Sequence, residues 1–176
     1  LYKSDERYID AYLRKYPGYY DTADAAYQDE HGYYHIVGRM DDVINTAGHR
    51  LSTGAMEEVL MEHDEVADCA VFSMKDSVKG EIPVGLVVLK KTSTVDEDKI
   101  REQLISKMRA SMGPIAFFEK VGVVKALPKT RSGKILRGTM VSIADGKDFK
   151  MPATIDDPAI LDEITEALKT LGYAKG

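Results

Sequence analysis

The sequence predicts an α+β fold, in which a three-stranded sheet packs with helices and a short two-stranded hairpin stands beside it. Two valine-rich runs, 66–73 and 82–89, are separated by a short loop, which favours a pair of neighbouring strands. Helical spacing of apolar residues surrounds these runs, and a third short apolar run covers 119–125. The expected order is therefore helix, strand, strand, helix, strand, helix, as in a small α+β domain.

The amino-terminal part of the chain is expected to begin with a helix and a hairpin. Ser4 and the acids after it are typical of a helix start, and apolar side chains keep helical spacing up to Tyr16 until Pro17-Gly18 end the helix. Short runs over 25–27 and 33–37 flank a polar turn that contains a glycine, which predicts the hairpin.

A second, smaller hairpin joins 43–44 to 50–52. Gly48 lies in its loop, where a glycine permits the backbone to approach closely. A helix follows at once, since Ser52 or Thr53 is suited to cap it and the next apolar residues share one helical face.

Three more helices are expected towards the carboxyl end. Thr94 and Glu97 have the spacing of a capping box for the first, which Gly113-Pro114 end. Asp157-Pro158 are suited to cap the last, and Gly172 follows its final turn. The helix between these two is short, with an apolar face made of Leu136, Met140 and Ile143.

The composition is that of an ordinary globular protein. Of 176 residues, 44% are hydrophobic and 30% are charged, which argues against disorder and fibrous repeats. No apolar run approaches the roughly 20 residues of a membrane-spanning helix, so we expect no membrane partner. The single cysteine, Cys69, excludes an internal disulfide. It suits a reducing compartment, which predicts an intracellular protein of the cytoplasm or the mitochondrial matrix.

Charge is distributed unevenly. The chain carries a net charge of −5, yet residues 120–144 hold six cations and no acid, so this run contributes +6 and the remainder carries −11. Such a patch favours an anionic small ligand or a nucleic acid. We expect no nucleic acid, because the run lacks interleaved aromatic residues and the isoelectric point is near 5.4. We also expect no bound metal, since the pair His31 and His35 has no evident third ligand.

The basic run contains the segment Pro128 to Lys134. It is not a P-loop of the Walker type, because Pro128 stands where that motif has glycine and Ile135 where it has serine or threonine. The segment resembles the PKTxSGK signature of adenylate-forming enzymes. Two further stretches, 21–24 and 38–50, resemble that superfamily in the same order, so the resemblance covers nearly the whole chain.

Several shorter stretches of the sequence resemble the short-chain branch of acyl-CoA synthetases. Residues 43–45 and 48–50 are similar to acetyl-CoA-synthetase-like enzymes, whereas 21–25, 68–71 and 154–158 are similar to propionyl-CoA synthetases. One departure is Ala23, where the superfamily usually has a glycine before the aspartate.

The resemblance implies a domain organisation. Residues 1–40 would be the tail of a large N-terminal adenylation domain. The rest of that domain would be the missing partner of the chain. Residues 41–150 would be the mobile C-terminal domain, with the hinge at Asp41 that lets it rotate between two poses. Residues 151–176 would be a carboxyl-terminal extension with a helix.

The resemblance also assigns roles in adenylation. Lys134 would stabilise charge while a carboxylate attacks the α-phosphate of ATP. Asp24 would accept hydrogen bonds from the ribose hydroxyls, Arg39 would contact the ribose, and Arg50 would contact the phosphate. Without the resemblance, Lys134 would be interpreted as a solvated surface lysine and Asp24 as a turn cap. The two arginines would be interpreted as members of surface salt bridges.

Thioester formation would use another pair of residues. Gly48 would leave room for the pantetheine arm of coenzyme A, although it is also suited to a turn of positive φ. Arg109 would contact a phosphate of coenzyme A, although at the end of a helix it could equally complement the helix dipole.

The implied reaction converts propionate, ATP and coenzyme A to propionyl-CoA, AMP and pyrophosphate through an acyl-adenylate, with Mg²⁺ accompanying ATP. This is a ligase of fatty acid metabolism, and the segment alone is expected to be inactive. Lys134 would be a target of a lysine acyltransferase and a deacylase, as in similar enzymes. The alternatives are an acetyl-CoA synthetase, another short-chain synthetase, and a non-catalytic interaction domain with the fold of a synthetase lid.

Overall fold

A computed structural model describes residues 2–174, apart from the side chains of Val37 and Asp41. It divides into two units, residues 1–42 and residues 43–176, with the boundary between Asp42 and Val43. No helix in the described part of the chain is long and apolar enough to cross a membrane.

The smaller unit contains a helix and a hairpin. Helix α1 spans Asp5–Tyr12, strand β1 spans Asp24–Gln28, and strand β2 spans Tyr34–Arg39, followed by a short 3₁₀ turn over Met40–Asp42. The two strands pair antiparallel, as predicted.

Helix α1 ends earlier than the sequence predicts. Its last residue is Tyr12, not Tyr16. The backbone N–H of Asp21 donates to the carbonyl of Tyr12 at 2.8 Å, so the oxygen that a longer helix would offer to the N–H of Tyr16 is used by the returning chain.

The smaller unit has little interior. None of the side chains described between residues 2 and 42 is buried. Rings of Tyr12 and Tyr20 stack at 5.0 Å between centroids, and Tyr8 lies 5.4 Å from Tyr12, yet Tyr19 and Tyr34 remain about three-quarters exposed, at 76% and 73%. Since a unit without a core gains little stability from burial, this unit is suited to packing on a further surface.

The larger unit holds five strands and four helices in the described part of the chain. In order these are β3 (Val43–Thr46), β4 (His49–Ser52), α2 (Thr53–Met61), β5 (Val66–Asp76), β6 (Gly80–Leu89), α3 (Glu97–Met112), β7 (Lys120–Val123), α4 (Arg137–Ala144) and α5 (Ile160–Thr170).

The three-stranded sheet and the small hairpin are confirmed. Strands β5 and β6 pair antiparallel, and β7 pairs parallel with β6 along Val84–Val87. The hairpin of β3 and β4 is also joined to this sheet, because Thr46 pairs with Gly80 at the start of β6. The backbone N–H of Ala47 donates to the carbonyl of Lys79 at 2.8 Å beside this pair.

Helices cover both faces of the sheet. Alternate residues of β5 point to opposite sides, so Phe72 joins one core cluster and Val71 the other. Helices α2 and α3 cover the face of Val71, and helices α4 and α5 cover the face of Phe72. In α5, Ile164 and Leu168 are fully buried, so the helix near the carboxyl end is part of the core of the larger unit.

Two predicted helix caps are wrong. Asp96, not Thr94, caps α3, because its carboxylate accepts from the N–H groups of Asp98 at 3.0 Å and Lys99 at 3.3 Å. The side chain of Glu97 instead pairs with Arg101 at 2.8 Å.

Helix α5 has no side-chain cap. It begins after Ala159, and the carboxylate of Asp157 accepts from the N–H of Ala159 at 2.9 Å, in the turn before the helix. Asp157 therefore stabilises the approach to the helix and leaves its first turn uncapped.

Candidate functional site

Residues 129–135, named here the lysine loop, fold into a tight loop. The N–H of Gly133 donates to the carbonyl of Thr130 at 2.8 Å, and the N–H of Thr130 donates to the carbonyl of Lys134 at 2.8 Å. Gly133 has a φ of +84°, a conformation that favours glycine. Lys129 and Ile135 pair across the loop, so its two sides form a miniature hairpin.

The side chain of Lys134 is exposed at the tip of this loop. Its backbone N–H donates to the hydroxyl of Thr130 at 3.1 Å, which fixes the backbone and leaves the ammonium group outside. Among the side chains that the structure describes, no carboxylate forms an ion pair with Lys134. An ordered backbone thus carries a cation that is available to a ligand.

Ion pairs hold both flanks of the loop. Lys129 pairs with Asp68 of β5, and Arg137 at the start of α4 donates to both carboxylate oxygens of Glu57 at 2.6 and 2.8 Å. Arg137 also donates to the carbonyl of Val71 at 3.2 Å. The cations of this region therefore divide between anchoring and exposed groups.

Sequence reasoning missed both acidic partners. Asp68 and Glu57 lie 61 and 80 positions from the cations that they bind. An excess of positive charge is visible in the sequence, but only the packing of α2 and β5 decides which acids reach it.

The structure brings together Asp24 and Arg39, two of the residues predicted to contact the nucleotide. They are directly opposite each other in the pairing of β1 and β2, and both are exposed. The guanidinium of Arg39 also donates to the carbonyl of Thr22 at 3.4 Å.

The turn before Asp24 has an alanine at a position of positive φ. Ala23 has a φ of +57°, in the left-handed region. Its N–H donates to the carboxylate of Asp21 at 2.8 Å, and its carbonyl accepts from the N–H of Met40 at 2.8 Å. Local hydrogen bonds hold the alanine in a conformation that costs about 1–2 kcal/mol for a residue with a Cβ.

Gly48 lies in the tight turn between β3 and β4. Its φ is +86° and that of Ala47 is +48°, as in a type I′ hairpin turn. A Cβ at Gly48 would meet no atom of the described chain within 4 Å, so open space surrounds this turn. Arg50 follows on β4, exposed and opposite Asn45.

Arg109 lies on the exposed face of α3, one turn before its end. It borders an open pocket of about 170 Å³ that is also lined by Gly113, Phe117 and Glu119. Lys79 connects this pocket to the Gly48 turn, because its ammonium lies 3.9 Å from the centre of the Phe117 ring while its carbonyl accepts from Ala47. A chain of contacts through Lys79 and Phe117 therefore leads from the Gly48 turn to the pocket that Arg109 borders.

No group of three or more metal-ligating side chains occurs among the described residues. The ring of His35 hydrogen-bonds the carboxylate of Asp29 at 2.8 Å and stacks on Tyr27. This hydrogen bond, with those from backbone amides, holds the pKa of Asp29 below its usual value. Burial raises the pKa of the Cys69 thiol to about 12, so Cys69 is not a nucleophile at neutral pH.

Comparison with known proteins identifies the class. The profile of the AMP-binding enzyme C-terminal domain matches residues 55–134. The amide bond synthetase McbA from Marinactinospora thermotolerans has a similar structure, with a TM-score of 0.66 and 26% identity over 80% of this chain and 27% of that protein. The chain contains the C-terminal domain of the adenylate-forming enzymes.

Several curated relatives are named as short-chain acyl-CoA synthetases. The chain is 48% identical to mouse acyl-CoA synthetase short-chain family member 3, mitochondrial, over 96% of its own length and 25% of that protein. It is 40% identical to human acetyl-coenzyme A synthetase 2-like, mitochondrial, over 93% of its own length and 24% of that protein. The chain thus spans about a quarter of the length of these relatives. The resemblance to the short-chain branch is confirmed.

We predict that Ala23→Gly stabilises the turn before Asp24. The left-handed φ costs alanine about 1–2 kcal/mol, and glycine removes this strain. Glycine also raises the entropy of the unfolded chain, which lowers the stability of the folded turn by about 0.5–1 kcal/mol. The net gain of about 0.5–1 kcal/mol should slow hydrogen exchange of the Met40 amide roughly two- to fivefold. Ala26→Gly, in the middle of β1, is the matched control and should accelerate this exchange. Acceleration by both substitutions would contradict the strain at Ala23.

Proposed function

We propose that this chain is the C-terminal lid of an AMP-forming short-chain acyl-CoA synthetase, which joins a carboxylate to coenzyme A through an acyl-adenylate. The observation that carries the proposal is the exposed cation of Lys134 on a backbone that hydrogen bonds and flanking ion pairs hold in place. The relatedness to short-chain acyl-CoA synthetases supports the same reaction class.

Lys134 is the proposed catalytic residue of the first step. A carboxylate and the α-phosphate of ATP are both anions, and negative charge accumulates on the phosphoryl oxygens as they meet. A lysine that no described acid neutralises is suited to stabilise that charge, and an ordered loop reduces the entropy lost in placing it. Mg²⁺ belongs to this step as the companion of the ATP phosphates.

Nucleotide contacts are proposed for Asp24, Arg39 and Arg50. The carboxylate of Asp24 offers two acceptor oxygens to a pair of ribose hydroxyls, and Arg39, opposite on β2, offers donors at the same edge of the hairpin. Arg50 is exposed on β4 and is suited to a phosphate, because its guanidinium presents a fork of donors.

Coenzyme A is proposed to meet the lid near Gly48 and Arg109. The open space around the Gly48 turn suits the thin pantetheine arm, and the exposed guanidinium of Arg109 beside its pocket suits a phosphate. Lys79 links these two places, which supports one continuous contact region for this substrate.

The proposed domain organisation places residues 1–40 at the end of a large adenylation domain and residues 41–150 in the mobile lid, followed by an extension over 151–176. The division between Asp42 and Val43 and the absence of buried side chains among those described in residues 2–42 support this organisation. The hinge is proposed at Asp41, whose side chain lies outside the described part of the chain. The N-terminal domain of the same protein is then the principal partner.

Propionate is the proposed acid, on the resemblance of residues 21–25, 68–71 and 154–158 to propionyl-CoA synthetases. Acetate is the second candidate, since one relative is named an acetyl-coenzyme A synthetase. Asp68 and residues 154–156 contact the lysine loop. The resemblance of these segments therefore supports relatedness to propionyl-CoA synthetases and does not describe the shape of the acyl pocket.

Regulation by acylation is also proposed for Lys134, with a lysine acyltransferase and a deacylase as partners. An exposed ammonium at a loop tip is accessible to such enzymes. Acylation would remove the charge on which adenylation depends. The proposed location is the cytoplasm or the mitochondrial matrix, and the name of the mouse relative, which is mitochondrial, favours the mitochondrion.

The acid is tested in the full-length enzyme, whose coding sequence should supply a phosphate-binding loop rich in Ser, Thr and Gly upstream of Leu1. Formation of AMP that depends on coenzyme A is measured with acetate, propionate and butyrate. We expect the highest kcat/KM with propionate. A clear preference for acetate would overturn the propionate assignment and leave the reaction class in place.

We predict that Lys134→Ala lowers the rate of adenylation by at least about two orders of magnitude, because a loss of roughly 3 kcal/mol of charge stabilisation corresponds to that factor. Pyrophosphate exchange measures this step. Thioester formation from supplied acyl-adenylate should persist. Lys169→Ala, which removes another exposed lysine, should change neither step. Equal loss of both steps would contradict the role of Lys134, and full adenylation would favour a non-catalytic lid.

We predict that Gly48→Leu has the opposite pattern, with thioester formation abolished and pyrophosphate exchange retained. A leucine would fill the open space that the pantetheine arm requires. Gly48→Ala is the matched control, because it shares the unfavourable φ of +86° but adds only one methyl group. If both variants lose both steps equally, Gly48 serves only the turn.

A further inference from the structure

Residues 154–156, named here the clamp segment, run alongside the lysine loop. The N–H of Arg131 donates to the carbonyl of Thr154 at 2.9 Å, and the N–H of Asp156 donates to the carbonyl of Lys129 at 2.9 Å. Thr130 and Ile155 are the paired residues between these two bonds. The clamp segment is thus an antiparallel neighbour of residues 129–131.

Residues 129–131 are consequently bonded along both edges. On one edge the N–H of Thr130 donates to the carbonyl of Lys134, and on the other the clamp segment supplies a donor and an acceptor. A two-stranded hairpin of this length is marginal in water, whereas a third strand stabilises it. The backbone that carries Lys134 is therefore part of a small three-stranded arrangement.

The clamp segment is itself tied to the core. Ile155 is 5% exposed and belongs to the same cluster as Met140, Ile164 and Leu168. Its N–H donates to the carbonyl of Pro152 at 3.0 Å, which closes a turn before the clamp segment. Because α5 is anchored in the same cluster, the clamp segment connects the lysine loop to the interior of the larger unit.

We propose that the clamp segment positions Lys134 for adenylation by holding the backbone of residues 129–131. This inference rests on the proposed catalytic role of Lys134. A lysine side chain has several rotatable bonds, so a fixed backbone limits where its ammonium group can reach. The ion pair of Lys129 with Asp68 is about one-third exposed on both side chains and is a weaker constraint than two backbone bonds beside a buried isoleucine.

Thioester formation does not use Lys134 in this scheme, so the clamp segment matters for one step only. A misplacement of the ammonium group by about 1 Å is enough to lower the rate of a chemical step by up to about 100-fold. A role limited to folding would lower both steps together, because it would reduce the amount of active enzyme. The two half-reactions therefore separate positioning from stability.

The test uses Asp156→Pro in the full-length enzyme. Proline removes the N–H that donates to Lys129, at an exposed position. Asp156→Ala keeps the N–H and removes only the carboxylate. Ala153→Pro places a proline in the preceding turn, at the second position that favours proline, where no described hydrogen bond uses the N–H.

In Asp156→Pro we expect the kcat of pyrophosphate exchange to fall about tenfold or more, with the KM of the carboxylate unchanged. Hydrogen exchange of the Arg131 amide should accelerate by about tenfold, as expected for a weakened backbone bond. The rate of thioester formation from supplied acyl-adenylate should stay within about twofold of the parent enzyme. Both control variants should retain adenylation.

Faster exchange at Arg131 with unchanged adenylation would overturn the positioning role, and so would an equal loss of both half-reactions. The parallel Lys134→Ala variant distinguishes the two proposals. If Lys134→Ala impairs adenylation and Asp156→Pro does not, only the clamp proposal fails. If Lys134→Ala retains adenylation, the proposed function of the loop fails.

Discussion

Pairing along β6 is the constraint on which the larger unit depends. Strand β5 lies antiparallel to β6, β7 lies parallel to it, and β3 joins it at Gly80. Gly85 is required within this strand, because a Cβ there would lie 2.7 Å from the ring of Phe118. Both faces of β6 are buried, so a shift of register would move its side chains from one core to the other. The same strand thereby fixes the places from which the lysine loop and the Gly48 turn begin.

Charges around the lysine loop have two different tasks. Lys129 pairs with Asp68 of β5, and Arg137 pairs with Glu57 of α2. The side chains of Arg137 and Glu57 are 23% and 18% exposed. Nη2 of Arg137 donates to both carboxylate oxygens of Glu57, and this partly buried, charge-assisted pair orients the start of α4. Lys134 is excluded from this network and stays exposed. One basic run thus supplies both the ion pairs that anchor the loop and an exposed cation.

The smaller unit is stabilised by different interactions from the larger unit, because little of it is buried. Its geometry depends on backbone pairing and on turn hydrogen bonds, as at Ala23, where an unfavourable φ is held by Asp21 and Met40. Stacked tyrosines give α1 a local partner in Tyr20. Such interactions order a hairpin and a short helix without a hydrophobic core.

The sequence by itself determined the elements whose causes are local. Apolar spacing over α3, the valine-rich strands β5 and β6, and the motif ending at Lys134 are each encoded within a few turns or a few residues. The cap of α3 was not among these elements, because the sequence predicted Thr94 whereas the carboxylate of Asp96 accepts from the N–H groups of Asp98 and Lys99.

Tertiary structure alone decided what depends on distant partners. The end of α1 depends on Asp21 returning to Tyr12, and the anchors of the lysine loop depend on Glu57 and Asp68. The contact between residues 129–131 and 154–156 has no local signal either, because backbone groups pair without regard to side-chain identity. Local preferences depend on neighbouring residues alone. The contacts of the lysine loop with Glu57, Asp68 and residues 154–156 arise only when the burial of β6, α4 and α5 brings remote segments together.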